Sequence, residues 1–253
     1  MSAIDIQTPP DLEALKALAS EARVEKKAEV SPIRAQALEE SALSFGAQGG
    51  LSWRVAAINV ELKRLERSMD KAFNFGPLMI KGNVLPPVIV GGQDSVKAES
   101  DGQSLRIADQ MFKIESAARF VTVTPTWRNY LLMDVPGKPE VPHPSVLPKD
   151  AAEQGLWNSK LQTGWDSGVA QADAIFSANM ARLRRDFEGM IRYRKLLAMN
   201  MVSEPIVASS NLGVTGDGQQ VSIQDRIYRI SVNPTLEMDA DRWKAVVRKL
   251  SEK

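Results

Sequence analysis

The sequence predicts an α+β protein, with long helices and two related β-rich segments that suggest an internal duplication. Three observations predict it. Apolar residues recur at helical spacing over two long stretches, around 34–73 and 150–201. Each stretch is followed by a proline-led apolar run, a glycine-rich segment and a second apolar run of matching pattern. Between the two halves lies a stretch dense in proline.

Residues 1–33 read as a flexible N-terminal tether, because Leu12, Leu15, Ala19 and Ala22 make only a short amphipathic pattern among charges. The first α+β half covers 34–135. In it Leu51, Val55, Ile58, Leu62, Leu65 and Met69 alternate four and three apart, one face of a helix packed on a core. Gly46, Gly49 and Gly50 predict a kink or a close helix contact, and Asn74 with Gly76-Pro77 ends the helix. Residues 136–148 hold Pro136, Pro139, Pro142, Pro144 and Pro148, a semi-rigid extended connector and the clearest boundary in the chain. The second half, 149–253, opens with a helix whose apolar face includes Trp157, Leu161, Trp165, Phe176, Leu183 and Met190. Gly164 and Gly168 stand four apart on it, a spacing that lets another helix approach.

The β-rich segments match each other. Leu85-Pro86-Pro87-Val88-Ile89-Val90 parallels Glu204-Pro205-Ile206-Val207-Ala208. The runs 106–114 and 222–230 share Ile-x-Asp-x-x-aromatic-basic-Ile, and Asp109 and Asp225 read as the turns of two tight hairpins. Val123-Thr124-Pro125-Thr126 echoes Val232-Asn233-Pro234-Thr235.

Composition narrows the chemistry. The 253 residues carry 32 basic and 31 acidic side chains, net +1, so nothing attracts nucleic acid in general. The absence of cysteine excludes disulfides, thiolate catalysis and Cys-based zinc sites within these residues. No apolar run is long enough to span a bilayer as a helix, and Met1-Ser2-Ala3-Ile4-Asp5 does not open a secretory signal. The one histidine, His143, sits between two prolines as an exposed loop residue, with no ligand or triad pattern around it. The loop Gly213–Gly218 lacks the Lys-Ser/Thr of a phosphate cradle and reads as a turn needing positive backbone angles. The basic residues from Arg182 to Lys195 are interleaved with Asp186 and Glu188, a salt-bridged surface or a docking face for an acidic partner. No catalytic residue, cofactor or metal ligand is expected, and the protein reads as a folded binding or scaffold module rather than an enzyme.

Particular strings go further. Arg34-Ala35-Gln36-Ala37-Leu38 with Gly46–Arg54, Asn83–Val88, Ala118–Val121 with Pro125–Leu131, Gly189–Leu197 and Asn211–Gly218 together resemble the DotC lipoprotein family of type IVB secretion systems, in that family's order. The resemblance implies a structural subunit of the outer-membrane core complex of a type IVB secretion system or an IncI-type conjugation apparatus. It implies DotD-like and DotH-like partners, a ring-forming hetero-oligomer, recruitment of the DotH-like partner, and a place on the periplasmic face of the outer membrane. The family's lipidated cysteine maps to no residue of this sequence. Candidate partner contacts are Trp127, Arg128 and Tyr130, Arg192 and Arg194, and Asn211, Thr215 and Asp217. An envelope ligand- or peptidoglycan-binding domain is the alternative, and a deep pocket lined by Trp and Arg would favour it.

Overall fold

The computed structural model describes residues 9–20, 31–98 and 105–244. It divides into two units, each assembled from two stretches of chain. The first comprises Met1–Ala72 and Trp127–Ala181, the second Phe73–Thr126 and Arg182–Lys253.

The first unit is helical. Asp11 accepts from the Ala14 amide and so caps α1, Leu12–Ser20. Ser31 and Pro32 then open α2, Pro32–Arg64, with the serine hydroxyl accepting from Arg34 N. A short α3, Glu66–Ala72, follows. The chain re-enters this unit through α4, Arg128–Leu131. Asp150 caps α5, Ala151–Ala198, whose residues up to 181 belong here. Leu15, Leu38, Ala42, Phe45, Trp157, Leu161 and Trp165 form one buried cluster. Leu15 is fully buried, so this part of the expected tether is a core element: its one apolar turn finds a groove between two larger helices. The rest of the expected tether, 1–8 and 21–30, lies outside the described residues.

Helices α2 and α5 run parallel at backbone contact. A Cβ on Gly46 would stand 2.2 Å from Leu161 O, and one on Gly50 2.2 Å from Trp165 O. Reciprocally, a Cβ on Gly164 would meet Leu43 O at 2.2 Å and one on Gly168 would meet Ala47 O at 2.1 Å. Each reciprocal contact is the first one displaced by 118 positions, Gly46 to Gly164 and Gly50 to Gly168, so the pair has an approximate two-fold relation. Ion pairs flank the contact from end to end: Arg34–Glu153, Lys160–Glu39 and Arg54–Asp173.

Parallel neighbours need a return crossing, and the proline-rich stretch supplies it. Asn59 Nδ2 donates to Met133 O at 2.7 Å, Ser52 Oγ to Gly137 O at 3.3 Å, and Arg34 to Ser145 O at 2.9 Å and Leu147 O at 3.1 Å. The stretch therefore descends α2 from its end to its start. Fourteen steps of polyproline rise cover about 43 Å. The matching 25 residues of α2 cover about 38 Å. A helical return of the same residues would reach only about 21 Å. Proline is what makes so short a segment long enough, and it lies within one unit rather than dividing two.

The second unit holds three two-stranded antiparallel sheets among the described residues. β1, Val84–Leu85, pairs with β4, Arg119–Phe120; β2, Val88–Ala98, pairs with β3, Leu105–Ser116; β5, Ile206–Gly216, pairs with β6, Val221–Val232. The two long hairpins have the same base, and the second adds bulges around Gly213. Val88 faces Ser116 and Ile89 faces Ile114; Ile206 faces Val232 and Val207 faces Ile230, with the register shift at the same place. Below each shift, Val84 pairs with Phe120 and Val202 with Leu236. Even the closing amide repeats: Val121 N donates to Asn83 O and Glu237 N to Met201 O. Outgoing residues again differ by 118 positions (Val88 to Ile206) and returning ones by 116 (Ser116 to Val232). The duplication is therefore carried by both units. Each sequence half gives its helix to the first and its hairpin to the second.

Three expectations change. Asp109 and Asp225 lie within β3 and β6 rather than at hairpin turns, and Asp225 stands beside a bulge, where the register shifts and Gln224 takes φ +57°. Much of each glycine-rich segment is strand, because cross-strand pairing outweighs its low β propensity. Residues 99–104 lie outside the described residues. The echo of 123–126 in 232–235 is out of register, because Val232 is the counterpart of Ser116. α5 buries Trp157, Leu161, Trp165, Ala172, Leu183 and Met190 as expected, and α2 buries Val55, Ile58 and Leu62, but the helix breaks at Leu65, which is exposed, so the expected face does not continue to Met69.

Adding a methyl at the helix contact should be costly. Gly46→Ala and Gly164→Ala are each expected to lower stability by about 2 kcal/mol or more in denaturant unfolding. Gly155→Ala, where a Cβ meets nothing within 4 Å, should be neutral or stabilise by about 0.5–1 kcal/mol.

Candidate functional site

The eight candidate contacts fall into three groups, and the structure uses them differently. Trp127 and Arg128 stand where α4 begins, facing α3. The Trp127 indole is 1% exposed and donates from Nε1 to Asp70 Oδ1 at 2.8 Å. Arg128 lies over that ring, 4.5 Å from its centroid, and bonds both Asp70 and Glu66. Hydrogen bonds from Arg128 first, then Trp127, hold the Asp70 carboxyl below its ordinary range, and Asp70 and then Glu66 in turn raise the Arg128 guanidinium. This is a clamp within the unit. Trp127 is too buried to touch a partner, while Tyr130 is half-buried in the same short helix.

Arg192 and Arg194 sit on the last turns of α5. Arg192 Nη1 donates to Ile89 O at 2.6 Å, and Arg194 donates to Leu78 O and Met79 O. They fasten the helix to strand and loop backbone inside the second unit. The expected basic docking face therefore loses two of its charges to internal carbonyls, which a guanidinium's several donors suit. Arg185 pairs with the adjacent Asp186, as a salt-bridged surface would.

Asn211, Thr215 and Asp217 lie along the β5–β6 hairpin. Asn211 Oδ1 accepts from Gly213 N at 3.0 Å, and Thr215 Oγ1 donates to Asp225 Oδ2 at 2.7 Å across the strands. Asp217 Oδ1 accepts from Gln219 N and Gln220 N at 3.0 Å, which holds its carboxyl low and closes the turn. Gly218 takes positive φ, +88°, in the turn, whereas Gly213, φ +74°, sits at a bulge inside β5. The three polar residues shape the hairpin; its exposed apolar side chains make the surface. Val214, Val221 and Ile223 stand out near the tip, and Ile206, Ile227 and Tyr228 nearer the base. The sequence reading passed over them because alternating apolar residues in a strand ordinarily point at a core. The one available signal was β5 itself, eleven residues with no charge and no proline, the devices that usually blunt an edge strand.

His143 is exposed and caps a single 3₁₀ turn, Pro144–Val146, its Nδ1 accepting from Ser145 N. No group of three His, Cys, Asp or Glu that could hold a metal occurs among the described residues. An open concavity of about 330 Å³ on the first unit is lined by Glu40, Ser41, Ser44, Phe45, Gln48, Glu140 and Pro142, with neither Trp nor Arg. No helix among the described residues is long and apolar enough to cross a membrane.

A family model described as type IV secretory system, conjugal DNA-protein transfer, matches residues 32–245. The chain belongs to that family. The match begins with α2 and takes in the proline-rich strap that returns along it, α5 and both hairpins, so the family's unit is the whole duplicated fold. No curated protein matches the chain. Membership makes this protein a component of conjugative type IV secretion.

The Arg34–Glu153 pair, where α2, the strap and α5 meet, yields a pH test. Glu153 is 5% exposed, and hydrogen bonds from Arg34, aided by the Lys149 amide, hold its pKa below the ordinary 4.5. Between that lowered pKa and 4.5 the unfolded chain binds more protons than the folded one, so stability falls as the solution is acidified below about pH 4.5. Glu153→Gln should cost about 1.5–3 kcal/mol at pH 7. It should also flatten the acid limb of the stability profile, as measured by thermal unfolding from pH 3 to 7.

Proposed function

We propose that this protein is a non-enzymatic structural subunit of the outer-membrane core complex of a type IVB secretion or conjugation apparatus. It is the DotC-like component, and it helps recruit a DotH-like partner to the outer membrane beside a DotD-like one. The observation that carries the reading is the family match over residues 32–245, joined to the seven DotC-like strings in their order. The fold is consistent with it. The charged candidates are spent on internal clamps, and what remains outward is a hairpin with exposed apolar side chains and one uncharged edge, β5, a surface suited to protein contact. A position on the periplasmic face follows from the resemblance and requires a lipid anchor outside these residues.

The test is purification of the tagged protein with its gene cluster from detergent-solubilised envelopes. Ring-shaped particles containing DotD-like and DotH-like proteins are the expected result. A monomer free of partners, from cells in which the apparatus is assembled, would overturn the proposal.

A further inference from the structure

The two hairpins share the register of their bases, yet among the described residues only the first base is covered. At the base of the first, the last turns of α5 lie against β2. A Cβ on Gly189 would stand 2.5 Å from Val88 Cγ1 and 3.2 Å from both Ile89 N and Ile89 O, and Arg192 bonds that same carbonyl at 2.6 Å. Tyr193 and Leu196 are buried with Ile89 there. Val88 and Ile89 are consequently 3% and 0% exposed. Their counterparts at the base of the second hairpin, Ile206 and Val207, are 58% and 37% exposed, and Tyr228, counterpart of the half-buried Phe112, is 53% exposed.

The repeat itself explains the difference. Displaced by 118 positions, Gly189 and Arg192 correspond to Lys71 and Asn74, where the first half would need to supply the covering helix. It cannot: α3 ends at Ala72, and Pro77 stands where the second half has Lys195. A proline there removes a backbone donor and clashes with the preceding turn. Among the described residues there is thus one helix for two equivalent hairpin bases.

We propose that the base of the β5–β6 hairpin docks an α-helix of a partner protein, in the way the base of the β2–β3 hairpin docks α5. The partner helix carries a small residue followed three positions on by a basic one, as in Gly189-x-x-Arg192, so that both share a face. The small residue meets the Val207 backbone, the cation engages the Val207 carbonyl, and apolar neighbours cover Ile206 and Tyr228. The inference names a surface and a partner chemistry for the scaffold reading. It rests on that reading only for the existence of a partner.

The probe is a labelled synthetic peptide of residues 182–198 of this chain, titrated into the purified full-length protein and followed by fluorescence anisotropy. Saturable binding is expected. It should weaken roughly tenfold or more with Val207→Asp or Tyr228→Ala in the protein and with Gly189→Leu in the peptide. Thermal unfolding of both protein variants should stay near wild type, since both positions are exposed. Absence of binding, or binding indifferent to both protein variants, overturns the proposal. A dimer by light scattering that Val207→Asp dissolves also overturns it, and assigns the surface to a second copy. None of these results bears on whether the protein co-purifies with rings.

Discussion

The contact on which the first unit depends is glycine against carbonyl between two parallel helices. Gly46 and Gly50 on α2, and Gly164 and Gly168 on α5, bring the backbones so close that a single methyl would collide with a main-chain oxygen. At that separation the Cα hydrogens face the opposing carbonyls, a weak but repeated attraction, and dispersion between the backbones adds to it. Larger residues flank the contact. Trp53 tilts against Trp165 at 5.6 Å, and Trp157, Leu161 and Phe45 fill the core beside it.

Much else follows from the helices being parallel. Two consecutive parallel helices leave the chain at the wrong end, and the proline-rich strap solves this by spanning the length of α2 in few residues. Its carbonyls are then fixed by Asn59, Ser52 and Arg34, so the strap is bonded structure rather than a hinge. Arg34 is the busiest of these. It bonds two strap carbonyls and the Glu153 carboxylate together, so one side chain ties the start of α2 to the end of the strap and the start of α5. The second unit repeats the two-fold logic with hairpins, but unequally, since among the described residues one helix end stands against two equivalent bases.

Both long helices and the helix contact were legible in the sequence, because helical periodicity and glycine spacing are local signals, whereas their caps were not read. The relation between the β segments was legible too, through the shared Ile-x-Asp-x-x-aromatic-basic-Ile run. Its geometry was not. Asp109 and Asp225 carry a turn residue's chemistry, and only pairing to a distant strand shows that they sit in the middle of one. The two-fold relation of Gly46 and Gly50 to Gly164 and Gly168 was hidden because the residues around them have diverged: Phe45 corresponds to Thr163 and Trp53 to Gln171. The candidate contacts Trp127, Arg128, Arg192 and Arg194 were selected by residue type, and aromatic and guanidinium groups serve internal clamps as readily as interfaces. The exposed base of the second hairpin was illegible for the opposite reason, since its apolar pattern is that of a buried strand.

The central claim is that α2 and α5 run parallel in the register set by the glycines. The chain has no cysteine, so pairs of introduced ones report distances without background. Spin labels on Arg54→Cys with Asp173→Cys should lie in close proximity, as the ion pair between these residues requires. Labels on Arg54→Cys with Glu153→Cys should be separated by about 30 Å, the rise of the 20 intervening residues of α5. Distances in the reverse order, short to position 153 and long to 173, would mean antiparallel helices and would contradict both the duplicated arrangement and the role given to the strap.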